Sequence, residues 1–446
     1  MTTQPTQWYG SEPIPLGSRQ PAPTLIDGLT QAMDDIAFPM SPASLRPVVL
    51  PRESYQEMFT AAAALLRLLR RTLLEAAPTA AGRIAALGAD EEMYPLFIDG
   101  AVEEDFATCI ARPDVMVDAT GPKFVEFNIG AGIGGVVDTS LNSAAWIEAY
   151  GGRELAPFTG PDPLAVRDQI FVRAVRELGV RPGVAIVGTA RDLNGSRTTR
   201  YYDVQVDSLR SQGLKAEFFE PEDLLAGLGL PGRPRYDIGL RHFTIPEWRG
   251  HAIDLTPVRT ALDAGCTLIA TQTAYLISNK KVLGWVSEGQ PWMSARDRET
   301  VERYLPWTRV VSDRSTHWRG SRRSLPELLL DSPEEFVLKP AIGMKAQDVL
   351  VGRHCDRELW NSTVSRAMER EDHIVQEYVR PAPYPMEFAE AEGTGSYEAE
   401  VFPVFSPYVF DDRPGGCMVR YLPPGRHGVV SIHGHGALPT VALARR

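Results

Sequence analysis

Residues 112–129 read RPDVMVDATGPKFVEFNI, and the spacing of charge against apolar positions in this stretch decides how the rest of the chain is read. Two apolar-rich runs, Asp114–Asp118 and Lys123–Ile129, flank Thr120-Gly121-Pro122, which are turn-forming residue types, so the stretch predicts a β-hairpin. Side chains two apart on a strand share a face, so Glu126 and Asn128 project together, and Asp114 falls near the strand end opposite Glu126. Two carboxylates and an amide oxygen suit a hard cation such as Mg²⁺ and leave coordination positions for phosphate oxygens and water. A solvated acidic hairpin face is the competing reading of the same spacing.

Outward from the hairpin, Gly130-x-Gly132-x-x-Gly135 matches a dinucleotide fingerprint. The acid expected about 20 residues later should close a second strand. Glu148 instead falls inside a predicted helix, Thr139–Tyr150, so the glycines read as letting a substrate approach the backbone beside the cation site. Upstream, Ser54–Ala77 repeats Leu and Ala at helical spacing, with Ser54 and Glu57 placed as a capping box. Residues 1–50, rich in Pro, Ser and Thr, read as an extended arm.

The middle of the chain alternates strand and helix: Gly183–Thr189, Thr198–Gln212, AEFFEP, EDLLAGL, Tyr236–Phe243 and Thr267–Gln272 predict a parallel α/β subdomain. A helix carrying Ser278-Asn279-Lys280-Lys281 follows, then antiparallel strands Glu334–Ala341 and Asp348–Gly352, a helix over Arg357–Arg370 and a strand His373–Val379. Short strands and turns, including Gly415–Tyr421 and GVVSIHG, close the chain.

Only six of the 46 basic residues are lysines, and four of them fall in Lys280-Lys281 and in Lys339 with Lys345. Lysine is a compact, flexible point charge that suits phosphate oxygens. Lys339 follows the apolar Phe336-Val337-Leu338, where burial is costly unless an anion compensates it. About thirty residues on, Gln376-Glu377-Tyr378-Val379 ends a strand whose backbone groups can meet an adenine edge. A snorkelling surface lysine is the alternative. Arg420, at the end of an apolar strand, reads equally as a salt bridge or a phosphate contact, and Arg241 is similar.

In joint order, RPD…VEFN, SNKK, FVLKP and IVQEYV resemble the circularly permuted branch of the ATP-grasp ligases, which includes the synthetase domain of glutathionylspermidine synthase. The resemblance covers about residues 94–440 and implies an α/β (α+β) ATP-grasp-like fold. In it, the metal-binding hairpin precedes the nucleotide-binding lysines. It implies four regions: the arm 1–50, a helical segment with the hairpin 51–160, an α/β pre-ATP-grasp subdomain 161–275, and a nucleotide-binding part with C-terminal strands 276–446.

The same resemblance implies an ADP-forming carboxylate–amine ligase that works through an acyl phosphate, with ATP and Mg²⁺ as cofactors and a biosynthetic role. Asp114, Glu126 and Asn128 would hold Mg²⁺, and Arg112 would stabilise the transferring phosphoryl group. Lys280, Lys339, Lys345 and Arg420 would meet phosphates, and Gln376, Glu377, Tyr378 and Val379 the adenine. Gly130, Gly132 and Arg241 fall to the substrate.

Two departures bear on this. The phosphate-covering loop, usually glycine-rich, offers only Gly343 before Gly352, and the loop after Asn128 is IGAGIGG, which points to a different substrate from that of the spermidine-conjugating enzymes. A small-molecule kinase on the same fold and a degenerate nucleotide-binding regulatory protein are the alternatives.

Composition narrows the partners. The 446 residues are 43% hydrophobic and 23% charged, with a net charge of −11 and no dense basic run, which argues against nucleic acid. No apolar stretch of about 20 residues and no leader-like start appears, so no membrane partner is expected. Four scattered cysteines without CxxC spacing fit a reducing cytoplasm. His433-x-His435 lacks a third ligand nearby, and neither GxSxG nor HExxH occurs. The expected partners are a carboxylate and an amine, and a homodimer is compatible with the sequence.

Overall fold

A computed structural model describes residues 7–10, 20–34, 36, 42–98, 100–192, 199–230, 235–343, 346–390 and 395–446. The hairpin forms from strands Ile110–Asp118 and Gly121–Ile129, with Arg112 opposite Asn128 and Asp114 opposite Glu126. Because Val115 pairs with Phe124, Val125 is an extra, bulged residue. The bulge keeps Phe124 and Phe127 on the buried face while Glu126 and Asn128 stay on the other.

Among the described residues the hairpin ends a seven-stranded sheet. Its order runs from Gly121–Ile129 through Ile110–Asp118, Val404–Phe410, Arg413–Tyr421 and Leu438–Arg445 to Val48–Leu50, with Phe158–Thr159 also on Leu438–Arg445. The pairing of Val48–Leu50 with Leu438–Arg445 is parallel and ties the two ends of the chain together. The helix Arg52–Ala76 packs on this sheet through Met58, Ala62, Leu65, Leu69 and Leu73, all buried.

The capping box expected at Ser54 and Glu57 does not form. The helix starts at Arg52 after Pro51, and both side chains reach tertiary partners instead. Ser54 Oγ donates to the Trp8 carbonyl at 2.8 Å, and Glu57 accepts from Trp8 Nε1 at 2.8 Å and from Tyr304 at 2.9 Å. The described part of the arm includes a helix at Ala22–Ala32 as well as the Val48–Leu50 strand.

The α/β part is a parallel four-stranded sheet in the order Lys215–Phe219, Gly183–Val187, Ile238–Arg241, Thr267–Ile269. The helix expected around Ser278–Lys281 is two helices, Gln272–Ile277 and Lys280–Glu288, and the Asn279 side chain caps the second by accepting from the Lys281 amide. A third, antiparallel sheet runs Leu350–Val351, Phe336–Pro340, His373–Glu377, Thr308–Val310, backed by the helix Arg357–Arg370.

GVVSIHG is not a strand. Gly425 and Gly428 take positive φ of 79° and 136°, and the segment runs as a loop into a short helix, Ile432–His435. The glycine fingerprint after Asn128 follows an antiparallel hairpin rather than opening a parallel βαβ unit, which removes the dinucleotide reading. No helix among the described residues is long and apolar enough to cross a membrane.

Leu65 is fully buried, whereas the Arg67 side chain is 61% exposed and pairs with Asp412 only at 3.5 Å. Leu65→Ala is expected to cost about 2–5 kcal/mol by chemical denaturation, and Arg67→Ala no more than about 0.5 kcal/mol.

Candidate active site

The three sheets meet around one large cleft of about 1690 Å³. The hairpin face with Arg112, Asp114, Glu126 and Asn128 forms one wall, Lys280 and Lys339 stand across it, and Gln376, Glu377, Tyr378 and Val379 line one end. The other end reaches His242, Phe243 and Thr244, just past the carboxyl end of the parallel strand Ile238–Arg241. Ligands in α/β folds commonly sit at this strand end.

Each hairpin carboxylate has a cationic partner. Lys280 Nζ lies 3.0 Å from Glu126 Oε1, at the first residue of its helix. Arg420 Nη2 lies 2.6 Å from Asp114 Oδ1, which also accepts from Ser406 Oγ at 2.9 Å. Burial pushes the Asp114 carboxyl up, but Arg420 and Arg112, with the hydrogen bonds from Arg420 and Ser406, outweigh it and hold it below the usual carboxylate range. Asn128 Nδ2 donates to the Arg112 carbonyl at 3.1 Å, which commits its amide nitrogen and leaves the side-chain oxygen as the group it can offer a ligand. Arg112 is fixed by donating from Nη1 to the Gly134 carbonyl at 2.8 Å, and Tyr408 donates to the same carbonyl at 3.0 Å.

Lys339 depends on the bulge. Its Nζ donates to the Val125 carbonyl at 2.9 Å and to Gln376 Oε1 at 2.7 Å, while Gln376 Nε2 donates to Thr308 Oγ1 at 3.0 Å. The Gln376 side chain therefore orients the lysine. Burial pushes the Lys339 ammonium down to about 8, and Lys280 adds to that, against the opposing pull of Glu126 and Asp114. The amides of Glu377 and Tyr378 are committed to the carbonyls of Trp307 and Glu335, each at 2.7 Å. The Glu377 carboxylate accepts from Arg319 at 2.7 Å, and the Arg353 guanidinium lies 3.9 Å from the Tyr378 ring centre.

Not every expected residue reaches the cleft. Arg241 is 2% exposed, bonded to Gln272 Oε1 at 3.3 Å and placed 4.4 Å from the Tyr275 ring centre, so it stands behind Tyr275 rather than in the cleft. Its position on a strand flanked by aromatic residues explains this: the ring covers the guanidinium. Lys345 lies outside the described residues, as does the His433 side chain. Gly130 and Gly132 do line the cleft, yet this chain's own atoms crowd them. A Cβ on Gly130, at φ +126°, would meet the Tyr275 ring at 3.0 Å, and one on Gly132 would meet Thr244 Cγ2 at 2.9 Å.

Sequence reading missed Ser406, Tyr408, Arg353 and Asp138, all local to the site. Ser406 and Tyr408 sit on Val404–Phe410, whose near-continuous apolar run reads as core. Only its pairing with Ile110–Asp118 puts them beside Arg112 and Asp114.

The donor set can be tested against a divalent cation. No group of three or more His, Cys, Asp or Glu side chains that could hold a metal occurs among the described residues. Asp114, Glu126 and the Asn128 side-chain oxygen are a partial set, suited to a cation whose remaining ligands are phosphate oxygens and water. Lys280 and Arg420 now supply the positive charge that such a cation would bring.

No family model matches the chain, and no curated protein matches it. Among solved structures it is similar to a glutathione synthetase-like effector from Globodera pallida in its apoform, at 15% identity and TM-score 0.57, covering 97% of this chain and 100% of that one. It also aligns with D-cycloserine synthetase DcsG at 18% identity and TM-score 0.28, covering 50% of this chain and 67% of that one. The first likeness shows the fold: the mixed α/β architecture expected from the sequence is shared with that protein along nearly the whole chain.

The lysine has a thermodynamic signature. Between about pH 8 and 10.5 the unfolded chain holds a proton on Lys339 that the folded chain has lost, so folding gains stability as pH rises through that window. Relative to Lys339→Met, the wild type is expected to gain about 3 kcal/mol across the window and nothing below it, read from denaturant midpoints at stepped pH. A difference that does not change with pH contradicts the burial of a charged lysine here.

Proposed function

We propose that the chain is an ATP-dependent carboxylate–amine ligase of the ATP-grasp class, ADP-forming, with its metal-binding hairpin preceding the nucleotide-binding sheet in permuted order. One observation carries the proposal. The Asp114–Glu126–Asn128 face and the two cleft lysines, far apart in sequence, meet within a single cleft, with Lys280 Nζ 3.0 Å from Glu126 and Lys339 Nζ on the bulge carbonyl beside it. A synthetase-like fold supports the same reading.

MgATP, when bound, would supply the phosphoryl group that activates a carboxylate. Asp114, Glu126 and the Asn128 oxygen are the residues that would hold its cation. Lys280 and Lys339 would hold phosphate oxygens, a role for which their compact ammonium groups suit them. Arg112, held by Gly134, presents a fixed charge beside the hairpin where negative charge develops during transfer. Arg420 keeps Asp114 ionised and aligned. No covalent nucleophile is needed: positioning and charge neutralisation carry the chemistry.

The test is an assay with ATP, Mg²⁺, hydroxylamine and a panel of carboxylic acids and peptides, read for hydroxamate and for ADP against AMP. Hydroxamate with ADP is the expected result, and Glu126→Ala is expected to lower it by about 100-fold or more. AMP overturns the reading. Phosphorylated product without hydroxamate makes the protein a kinase, and nucleotide binding with no turnover makes it a regulatory binding protein.

A further inference from the structure

Past Arg112 the cleft continues to the carboxyl ends of the parallel strands, where its wall includes Tyr201, His242, Phe243 and Tyr275, with Asp138 in the first turn of the helix Val136–Ala149. Arg241 stands behind this wall, 4.4 Å from the Tyr275 ring centre, and the groups that face the cleft are mostly neutral. Burial pushes the His242 imidazole down to about 4, with Arg167 adding to the effect, so the ring is neutral at physiological pH. The His242 ring nitrogen Nε2 is 3.2 Å from the Tyr201 hydroxyl, and Tyr275 donates to the Phe243 carbonyl at 2.9 Å. Glu247, also in this wall, accepts from the Thr244 hydroxyl at 2.8 Å.

Asp138 is placed differently. Among the described residues no ion pair reaches its carboxylate, and the hydrogen bond it receives comes from its own backbone amide. The Arg112 charge acts on it, but the Arg112 Nη1 is bonded to Gly134. Burial pushes the carboxyl up to about 6, which leaves it ionised for the most part at neutral pH. A partly buried carboxylate without a counter-ion is stabilised by any cation that enters beside it. In the same cleft Lys280 and Arg420 are matched by Glu126 and Asp114, whereas Asp138 is a lining carboxylate that no ion pair holds among the described residues.

We infer that Asp138 anchors the amine co-substrate, holding a protonated primary or secondary amine as its ammonium ion at the aromatic end of the cleft. The inference rests on the ligase reading and adds the location of the second substrate to it. It makes Asp138 a specificity-determining residue, distinct from the phosphate and metal face.

Hydroxylamine separates the two claims, because it is largely uncharged at neutral pH and does not need an ammonium anchor. Hydroxamate formation is measured in the wild type, Asp138→Asn and Asp138→Glu, first alone and then with competing amines: the twenty amino acids, ethanolamine and putrescine. In the wild type at least one of these amines is expected to suppress hydroxamate. In Asp138→Asn the inhibition constant of that amine is expected to rise about tenfold or more, by a larger factor than any fall in the uncompeted rate. Asp138→Glu, which keeps the charge, is expected to recover part of the competition.

Unchanged competition in Asp138→Asn, or no competing amine in the wild type, overturns the anchor. So does loss of the uncompeted rate in Asp138→Asn, with the fold intact by circular dichroism, because it would place Asp138 in the activation step. Absence of hydroxamate from the wild type overturns the ligase reading and the anchor with it.

Discussion

The site depends on how two carboxylates and several cations are kept in charge balance inside a cleft of low polarity. Glu126 leans on Lys280, Asp114 on Arg420 and Ser406, and Lys339 on a carbonyl that only the bulge at Val125 makes available. Each pair lies where desolvation raises the cost of a lone charge, so removing one member exposes the other. The same balance defines what can enter. A divalent cation with an anionic nucleotide brings both signs at once, and it lets the lysine and arginine exchange protein carboxylates for phosphate oxygens.

Much of the architecture behind this balance is written locally. The hairpin is legible in its two runs, although its turn is Ala119-Thr120, with Gly121 and Pro122 already paired in the second strand, and the bulge at Val125 sets Asp114 opposite Glu126; the βαβ alternation gives the strands of the parallel sheet. The helix Arg357–Arg370 and the strand core His373–Glu377 follow directly from periodicity. What could not be read is non-local. Ser54 and Glu57 have the spacing of a capping box, yet the helix begins at Arg52 after Pro51, which leaves Ser54 inside the first turn, and Trp8 and Tyr304 claim the two side chains. Arg241 and Arg420 look alike in sequence, each ending an apolar strand. One disappears behind Tyr275 and the other meets Asp114, and only the packing of neighbouring strands separates them.

The loop after Pro340 shows the limit of reading glycines by count. Few glycines occur there, but Ala346 and Asp348 adopt left-handed φ of 59° and 58°, so turns of the kind glycine usually makes are present without it. Aspartate tolerates that region better than most residues, and alanine does so at a cost of roughly 1 kcal/mol. Conversely, Gly130, Gly132 and Gly135 are required by the chain's own Tyr275, Thr244 and Tyr408, whose atoms would meet a Cβ at 3.0, 2.9 and 2.7 Å. Their spacing resembles a nucleotide fingerprint, but their physical reason is close packing behind the hairpin.

Calorimetric titration of the wild type with ADP, in the presence of Mg²⁺ and after its removal by chelation, tests the central claim most directly. The account predicts saturable binding that weakens by about tenfold or more without Mg²⁺ and is lost in Glu126→Gln. Binding that is indifferent to Mg²⁺ and to Glu126, or no binding at all, would contradict it.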